Sequence, residues 1–323
     1  MHIPVLLNEV IEQLRMKSGD NAIDGTAGGG GHAKALLEAT APDGHILALD
    51  RDETALEVSR RTLGAAADRV TFVHDSFANL KSIYDQHFSN YPIHGILLDL
   101  GLSSIELDSP DRGFSFRLDA PLDMRFDTRQ SLTAADIINT WPAERLQKVL
   151  REYGNELLAP EIIRAVLDLR QQKQKIQTTK QLVDVILSVY RIKLKSKKEI
   201  PWVGGHHPAT KVFQALRIAV NDEFTALEAV LPQAIDLLQP GGRLAVIAFH
   251  SAEDRIVKQM FREAARDCIC PPEVPVCVCN HIASVRLITK KPITPHQAEI
   301  SQNPRSRSAT LRVAEKIQPA LTT

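Results

Sequence analysis

Asn21-Ala22-Ile23-Asp24-Gly25-Thr26-Ala27-Gly28-Gly29-Gly30-Gly31-His32 is a short apolar run that ends on a carboxylate and passes through a glycine loop into a segment of helical character. Glycine admits positive φ and lets backbone press against a ligand, while the first turn of a helix presents unpaired N–H groups. A strand, a binding turn and a helix are therefore expected in that order, with a nucleotide-type cofactor over the loop. Gly28-x-Gly30-x-x-Ala33 also satisfies the dinucleotide fingerprint, so the loop by itself does not choose the cofactor.

On either side of this loop, apolar runs at residues 21–24, 45–50, 70–75 and 94–100 alternate with helix-period segments, which predicts an α/β domain with a parallel sheet. Ligands of open α/β sheets bind beyond the carboxyl ends of the strands, so Asp24, Asp50, Asp75 and Asp99 should face one crevice. Asp50, 26 residues after Asp24, is placed to accept hydrogen bonds from ribose hydroxyls; NAD and S-adenosylmethionine would both use it. Its alternative role is to cap the next helix together with Glu53. Asp75-Ser76-Phe77 offers an acceptor beside an aromatic ring, which suits adenine. Asp99 and Ser103 then lie where the reacting end of the cofactor should be. If the cofactor donates a methyl group to an amine conjugated with an aromatic ring, the reaction needs in-line positioning and acceptors for the amine N–H bonds. Asp99 is then the candidate catalytic residue; its alternative roles are to organise the turn or bind the cofactor.

After Gly101 the strand rhythm stops, and residues 133–190 carry apolar positions at helical spacing. The predicted organisation is a core in two parts, 1–108 and 209–323, interrupted by a helical insertion and linker at 109–208 that serves substrate recognition. Residues 209–238 read as one long helix kinked at Pro232. Pro240-Gly241-Gly242 ends it, a fifth strand follows at 243–249, and a closing antiparallel pair is expected at 284–290 and 310–314. The chain of 323 residues holds 39 basic against 39 acidic side chains, so no global field draws it to a polyanion. No apolar run approaches the roughly 18 residues of a membrane span, and the N-terminus lacks the pattern of a secretion signal, so a cytoplasmic protein without membrane partners is expected.

Several longer motifs carry a resemblance. They are His2-x-Pro-Val-Leu-Leu, the Asp24-Gly25-Thr26 loop with His32, Asp99-Leu-Gly-Leu-Ser-Ser, Arg112-Gly-Phe-Ser-Phe, Pro121-Leu-Asp-Met-Arg, His207-Pro-Ala-Thr, Phe213-Gln-Ala-Leu-Arg, Phe249-His-Ser-x-Glu-Asp-Arg and Asn303-Pro-Arg-Ser-Arg-Ser. Together they closely resemble the ribosomal RNA small subunit methyltransferase H family, also called MraW, over nearly the whole chain. The resemblance implies a Rossmann-like class I S-adenosylmethionine methyltransferase fold with a helical insertion domain. It also implies methyl transfer from S-adenosylmethionine to the N4 amine of a cytosine in 16S rRNA. The family's cofactor contacts fall on Gly30, Gly31, His32, Asp50, Phe77, Asp99 and Glu106. Glu106 is the one departure, because some members carry Gln there, and a carboxylate accepts a hydrogen bond but donates none.

A cytosine in structured RNA must be unstacked before its amine meets the methyl group, so stacking plates and edge contacts are needed. Phe114 and Phe116 are the candidate plates; Arg217 and Asn221, one helical turn apart, and His250, Glu253 and Asp254 after the fifth strand are candidate supports. Basic runs at Arg191, Lys193, Lys195, Lys197 and Lys198 and at Arg305 and Arg307 suit phosphates. With zero net charge, shape recognition of the small ribosomal subunit or a late assembly intermediate is expected over naked RNA. Cys268, Cys270, Cys277 and Cys279 cluster in sequence, but Cys-x-Cys pairs are tighter than usual zinc-ligand spacing, so reduced thiols and no metal are expected.

Overall fold

Alternating strands and helices build the first hundred residues, as the apolar rhythm predicts. The computed structural model describes residues 4–195, 207–271, 273–274 and 276–318. In chain order the elements begin α1 (Leu7–Leu14), β1 (Asn21–Asp24), α2 (Gly31–Ala39), β2 (Ile46–Asp50), α3 (Glu53–Leu63), β3 (Val70–His74), α4 (Leu80–His87) and β4 (Ile93–Asp99). Helices follow as α5 (Ser104–Asp108), α6 (Ala134–Thr140), α7 (Ala143–Glu152), α8 (Ala159–Gln171), α9 (Thr179–Leu194), α10 (Ala209–Asn221) and α11 (Glu223–Leu237). The chain closes with β5 (Leu238–Ala248), α12 (Ser251–Ala264), β6 (Val285–Leu287), α13 (Gln297–Gln302) and β7 (Thr310–Lys316).

Among the described residues the strands form one seven-stranded sheet in the order β3-β2-β1-β4-β5-β7-β6. Strands β1 to β5 are parallel, and β7 pairs antiparallel with both β5 and β6. Side chains alternate across the pleat, so a doubly covered sheet needs apolar residues at successive positions. Accordingly Ile96 and Leu98 of β4 join the cluster under α4, α11 and α12, while Leu97 joins the cluster under α1 and α2. Each fully buried Leu or Ile contributes roughly 1.5–3 kcal/mol.

The chain divides into two compact units, Met1–Gly101 with Phe224–Thr323, and Leu102–Glu223. The second unit packs α6 to α10 around Ile137, Leu146, Ile162, Leu182 and Leu216, all fully buried. These limits differ from the 109–208 insertion read from sequence. Helix α10, assigned there to the core, buries Val212, Phe213 and Leu216 in the helical unit instead. The single helix expected over 209–238 is two: Asp222 adopts φ 50 and its N–H caps Ile218 O, which stops α10 before α11 begins. Pro232 lies inside α11, and β5 starts at Leu238, with Gly241 at φ 85. Lys197 and Lys198 lie outside the described residues.

Candidate active site

The carboxyl ends of β2, β1 and β4 lie side by side, and the loop after β1 is fastened to both neighbours. Gly25 N–H donates to Leu97 O at 2.9 Å and Ala27 N–H to Leu49 O at 2.8 Å. Gly28 N–H donates to Asp50 Oδ2 at 2.8 Å, and Thr26 Oγ1 accepts the Asp99 N–H at 2.7 Å. Gly30 takes φ 81, and a Cβ there would meet Ser59 Oγ at 2.7 Å, so both conformation and packing require glycine. At Gly31 a Cβ would meet Pro4 Cγ at 2.3 Å, whereas at Gly29 nothing lies within 4 Å, leaving Gly29 as the face of the loop open to a ligand.

Four ionisable groups converge on this loop. Asp24 is fully buried; its Oδ1 accepts the Thr26 N–H at 3.1 Å, and its Oδ2 has no partner among the described residues. Burial pushes its carboxyl up to about 6, against the opposing pull of His32 and of the Thr26 N–H. His32 lies in the first turn of α2 and is 6% exposed, with neither ring nitrogen hydrogen-bonded among the described residues. Its Nε2 is 3.6 Å from Asp99 Oδ2, beyond good hydrogen-bond length. Burial pushes the imidazole down, but the Asp99 carboxylate and then Asp24 outweigh it and leave His32 above its ordinary value. Asp99 Oδ1 has no partner among the described residues.

Asp50 does not cap α3. That role belongs to Asp52, whose side chain accepts the Thr54 N–H at 3.0 Å. Asp50 instead accepts the Asp52 N–H at 2.9 Å and the Gly28 N–H, and burial pushes it up to about 6 although both bonds oppose the rise. Phe77 opens the turn Phe77–Asn79, half-buried against the apolar cluster of the sheet. Beside it, Asp75 Oδ1 accepts the Ser76 N–H at 2.6 Å.

The remaining sequence candidates are placed differently. His250 is the N-cap of α12: its Nδ1 accepts the Glu253 N–H at 3.4 Å, while Glu253 Oε2 accepts the Phe249 N–H at 2.9 Å. Asp254 holds Arg312 at 2.6 and 2.8 Å, and Arg305 and Arg307 are exposed. In the helical unit, Glu106 closes a capping box with Ser103, accepting the Ser103 N–H at 2.7 Å. Phe114 is 6% exposed and stacks on Phe126 at 5.5 Å. Arg217 forms a two-pronged pair with Glu223 at 2.7 and 2.8 Å. Asn221, 1% exposed, accepts the Phe126 N–H at 2.8 Å and donates to Met124 O at 2.7 Å. Phe114, Arg217 and Asn221 thus hold their own unit together, because buried polar and aromatic groups must be satisfied where they lie. Phe116 stays half-buried, stacked on His207 at 4.7 Å. The groups that sequence reading undervalued are Asp24, Thr26 and Gly29. The signal for Asp24 was a charge closing a four-residue strand buried at every position.

The electrostatics separate the two cofactors left open by the glycine pattern. A dinucleotide lays an anionic pyrophosphate on the loop amides. Here Gly28 N–H is already bonded to a carboxylate, and the carboxyl groups of Asp24, Asp50 and Asp99 lie around the loop, a poor lining for an anion. Unpartnered Asp24 Oδ2 and Asp99 Oδ1 suit a ligand with positive charge, which S-adenosylmethionine carries on its sulfonium and ammonium groups. The residues present therefore fit that cofactor.

Comparison with known proteins agrees. The chain is 48% identical over 320 residues to ribosomal RNA small subunit methyltransferase H of Dehalococcoides mccartyi, covering 98% of this chain and 86% of that protein. It is likewise 48% identical over 316 residues to the protein of that name from Heliobacterium mobile, covering 98% and 99%. The relative of that name from Thermomicrobium roseum is 48% identical over 316 residues, covering 98% and 94%. The profile of the MraW methylase family matches residues 1–317, and with the parallel sheet and its glycine loop in place, the chain belongs to that family.

Proposed function

We propose that this protein transfers a methyl group from S-adenosylmethionine to the exocyclic N4 amine of a cytosine in 16S rRNA, acting in the cytoplasm on the small ribosomal subunit or a late assembly intermediate. The observation that carries the reading is the pair of unpartnered carboxylate oxygens, Asp24 Oδ2 and Asp99 Oδ1, beside a glycine loop whose Gly28 amide is already bonded to Asp50.

When bound, S-adenosylmethionine supplies an electrophilic methyl group. The chain's residues do the rest by holding and orienting. Asp50 accepts bonds from ribose hydroxyls, Phe77 packs against adenine, and the open side of Gly29, with Gly30 and Gly31 shaping the turn, admits the cofactor backbone. Asp99 accepts an N–H bond of the cytosine amine, favouring the pyramidal form whose lone pair attacks. His32, with Nε2 3.6 Å from Asp99 Oδ2, contacts the cofactor beside that carboxylate. The helical unit, with Phe116 and the basic end of α9, and the exposed Arg305 and Arg307 serve RNA recognition through shape and phosphate contacts. Mass spectrometry of 16S rRNA from cells with and without the protein tests this reading. The N4-methyl mark on cytosine should vanish with the protein; a mark that persists would overturn the assignment.

A further inference from the structure

Between α12 and β6 the chain makes a loop to which the proposed methyl transfer assigns no residue. Its cysteines, separated in sequence as two tight pairs, are brought together in space: the Sγ atoms of Cys268, Cys270, Cys277 and Cys279 all lie within 4.8 Å of one another. Cys277 Sγ is 3.6 Å from Cys279 Sγ, and Cys279 Sγ is 3.8 Å from Cys268 Sγ. A tetrahedron of thiolates about 2.3 Å from a zinc ion has edges of about 3.8 Å. All four thiols are free, with no disulfide among them.

We propose that Cys268, Cys270, Cys277 and Cys279 form a tetrahedral structural zinc site that fixes this loop. The tight Cys-x-Cys spacing argued against a metal in the sequence, but the loop supplies the missing geometry. The chain turns after the first pair, where Val274 N–H donates to Pro271 O at 3.1 Å, and the second pair returns to face the first. Three backbone amides already point at sulfur: Cys270 N–H at Cys268 Sγ (3.4 Å), Val278 N–H at Cys270 Sγ (3.4 Å) and Ile269 N–H at Cys279 Sγ (3.5 Å). Such donors stabilise thiolate charge and orient metal ligands. Hydrophobic burial does not explain the gathering, because Ile269, Val276 and Val278 are 45%, 71% and 72% exposed. An all-thiolate set selects a soft or borderline ion, and an iron–sulfur cluster would spread its cysteines around several irons rather than one centre. The contacts Cys277–Cys279 and Cys279–Cys268 share Cys279, so these two contacts cannot both become disulfides. Binding balances as Zn²⁺ plus four thiols giving a dianionic tetrathiolate and four protons.

The test uses full-length protein purified under reducing conditions without chelator. Elemental analysis should find one zinc per chain, released when a mercurial titrates the thiols. Cobalt(II) added to metal-stripped wild type should give the visible bands of tetrahedral thiolate coordination, with one equivalent saturating them. Cys268→Ser combined with Cys279→Ser should abolish both signals while leaving S-adenosylmethionine affinity within twofold. Wild-type protein that holds no stoichiometric zinc and gives no such cobalt spectrum, or that yields disulfide-linked peptides from this loop when isolated under reducing conditions, overturns the proposal. Because the cobalt titration is made on wild type, its outcome does not depend on whether the double variant folds.

Discussion

His32 Nε2 stands 3.6 Å from Asp99 Oδ2, joining the first turn of α2 to the end of β4 across the glycine loop. The folded state holds the His32 proton more tightly than the unfolded chain, since Asp99 and Asp24 outweigh the burial that opposes it. A raised imidazole pKa gives stability that is fully present below the unfolded value near 6.5 and is lost as pH rises through the folded value. His32→Asn should therefore lower Tm most at acidic pH, and the gap from wild type should narrow on the alkaline side. Thermal melts across that range check it; a gap independent of pH would show that the pair carries no charge.

Asp24 is shifted in the same direction, but for a carboxyl a raised pKa is a cost at neutral pH. Its carboxyl, raised by burial from 3.8 to about 6, makes the folded state the better proton binder, so stability falls as pH rises between those values. By neutral pH the cost is on the order of 3 kcal/mol. Asp24→Asn keeps an oxygen for the Thr26 N–H and should raise unfolding stability at neutral pH by up to that amount, with little gain at pH 4. The same variant should bind S-adenosylmethionine at least tenfold more weakly. Denaturant titrations at both pH values, with calorimetry for the cofactor, read the two effects; unimpaired binding would remove Asp24 from the site.

Asp50→Ala removes the proposed ribose acceptor and also frees Gly28 N–H from the loop's anchor. Loss of hydrogen bonds to a charged group costs roughly 1.5–3 kcal/mol, or about 10- to 150-fold in affinity. Calorimetric titration that finds the affinity unchanged would show that the ribose lies elsewhere.

Asn221→Ala should destabilise the protein by about 2–4 kcal/mol, because it removes the buried hydrogen bonds to the Phe126 N–H and the Met124 carbonyl. Cofactor affinity should not change. Wild-type stability combined with lost methyl transfer would return Asn221 to a substrate role.

With zero net charge, the chain has little long-range attraction for RNA, and its exposed cations at Arg191, Lys195, Arg305 and Arg307 are scattered. Subunits should be methylated far faster than protein-free 16S rRNA at matched salt, since only a folded target meets separated patches together. Neutralising Lys195, Lys197 and Lys198 should weaken subunit binding and reduce its salt slope by roughly 2, leaving cofactor affinity intact. Equal initial rates on both substrates would refute shape recognition.

The strand pattern and the glycine loop were legible in the sequence because both are local. Asp24, Asp50 and Asp99 stand at strand ends whatever the distant packing, and the successive apolar residues Ala22-Ile23 of β1 and Ile96-Leu97-Leu98 of β4 already point to a sheet covered on both faces. Sequence therefore determined the α/β architecture, the glycine loop with carboxylates at the strand ends, and the antiparallel closing pair. Tertiary structure alone decided the roles of side chains whose partners lie far along the chain. Asn221 reads as a helix-face polar residue until Phe126 and Met124 arrive beside it from some 95 and 97 positions away. Asp222 interrupts an apparently continuous helix, and α10 joins the helical unit because its apolar face finds a core there. The cysteines show the same limit: two-residue spacing says little about where four sulfurs meet, since a turn between the pairs sets their distances. Periodicity records what one element wants to bury, but the identity of the partner is a non-local fact, fixed only when the chain packs.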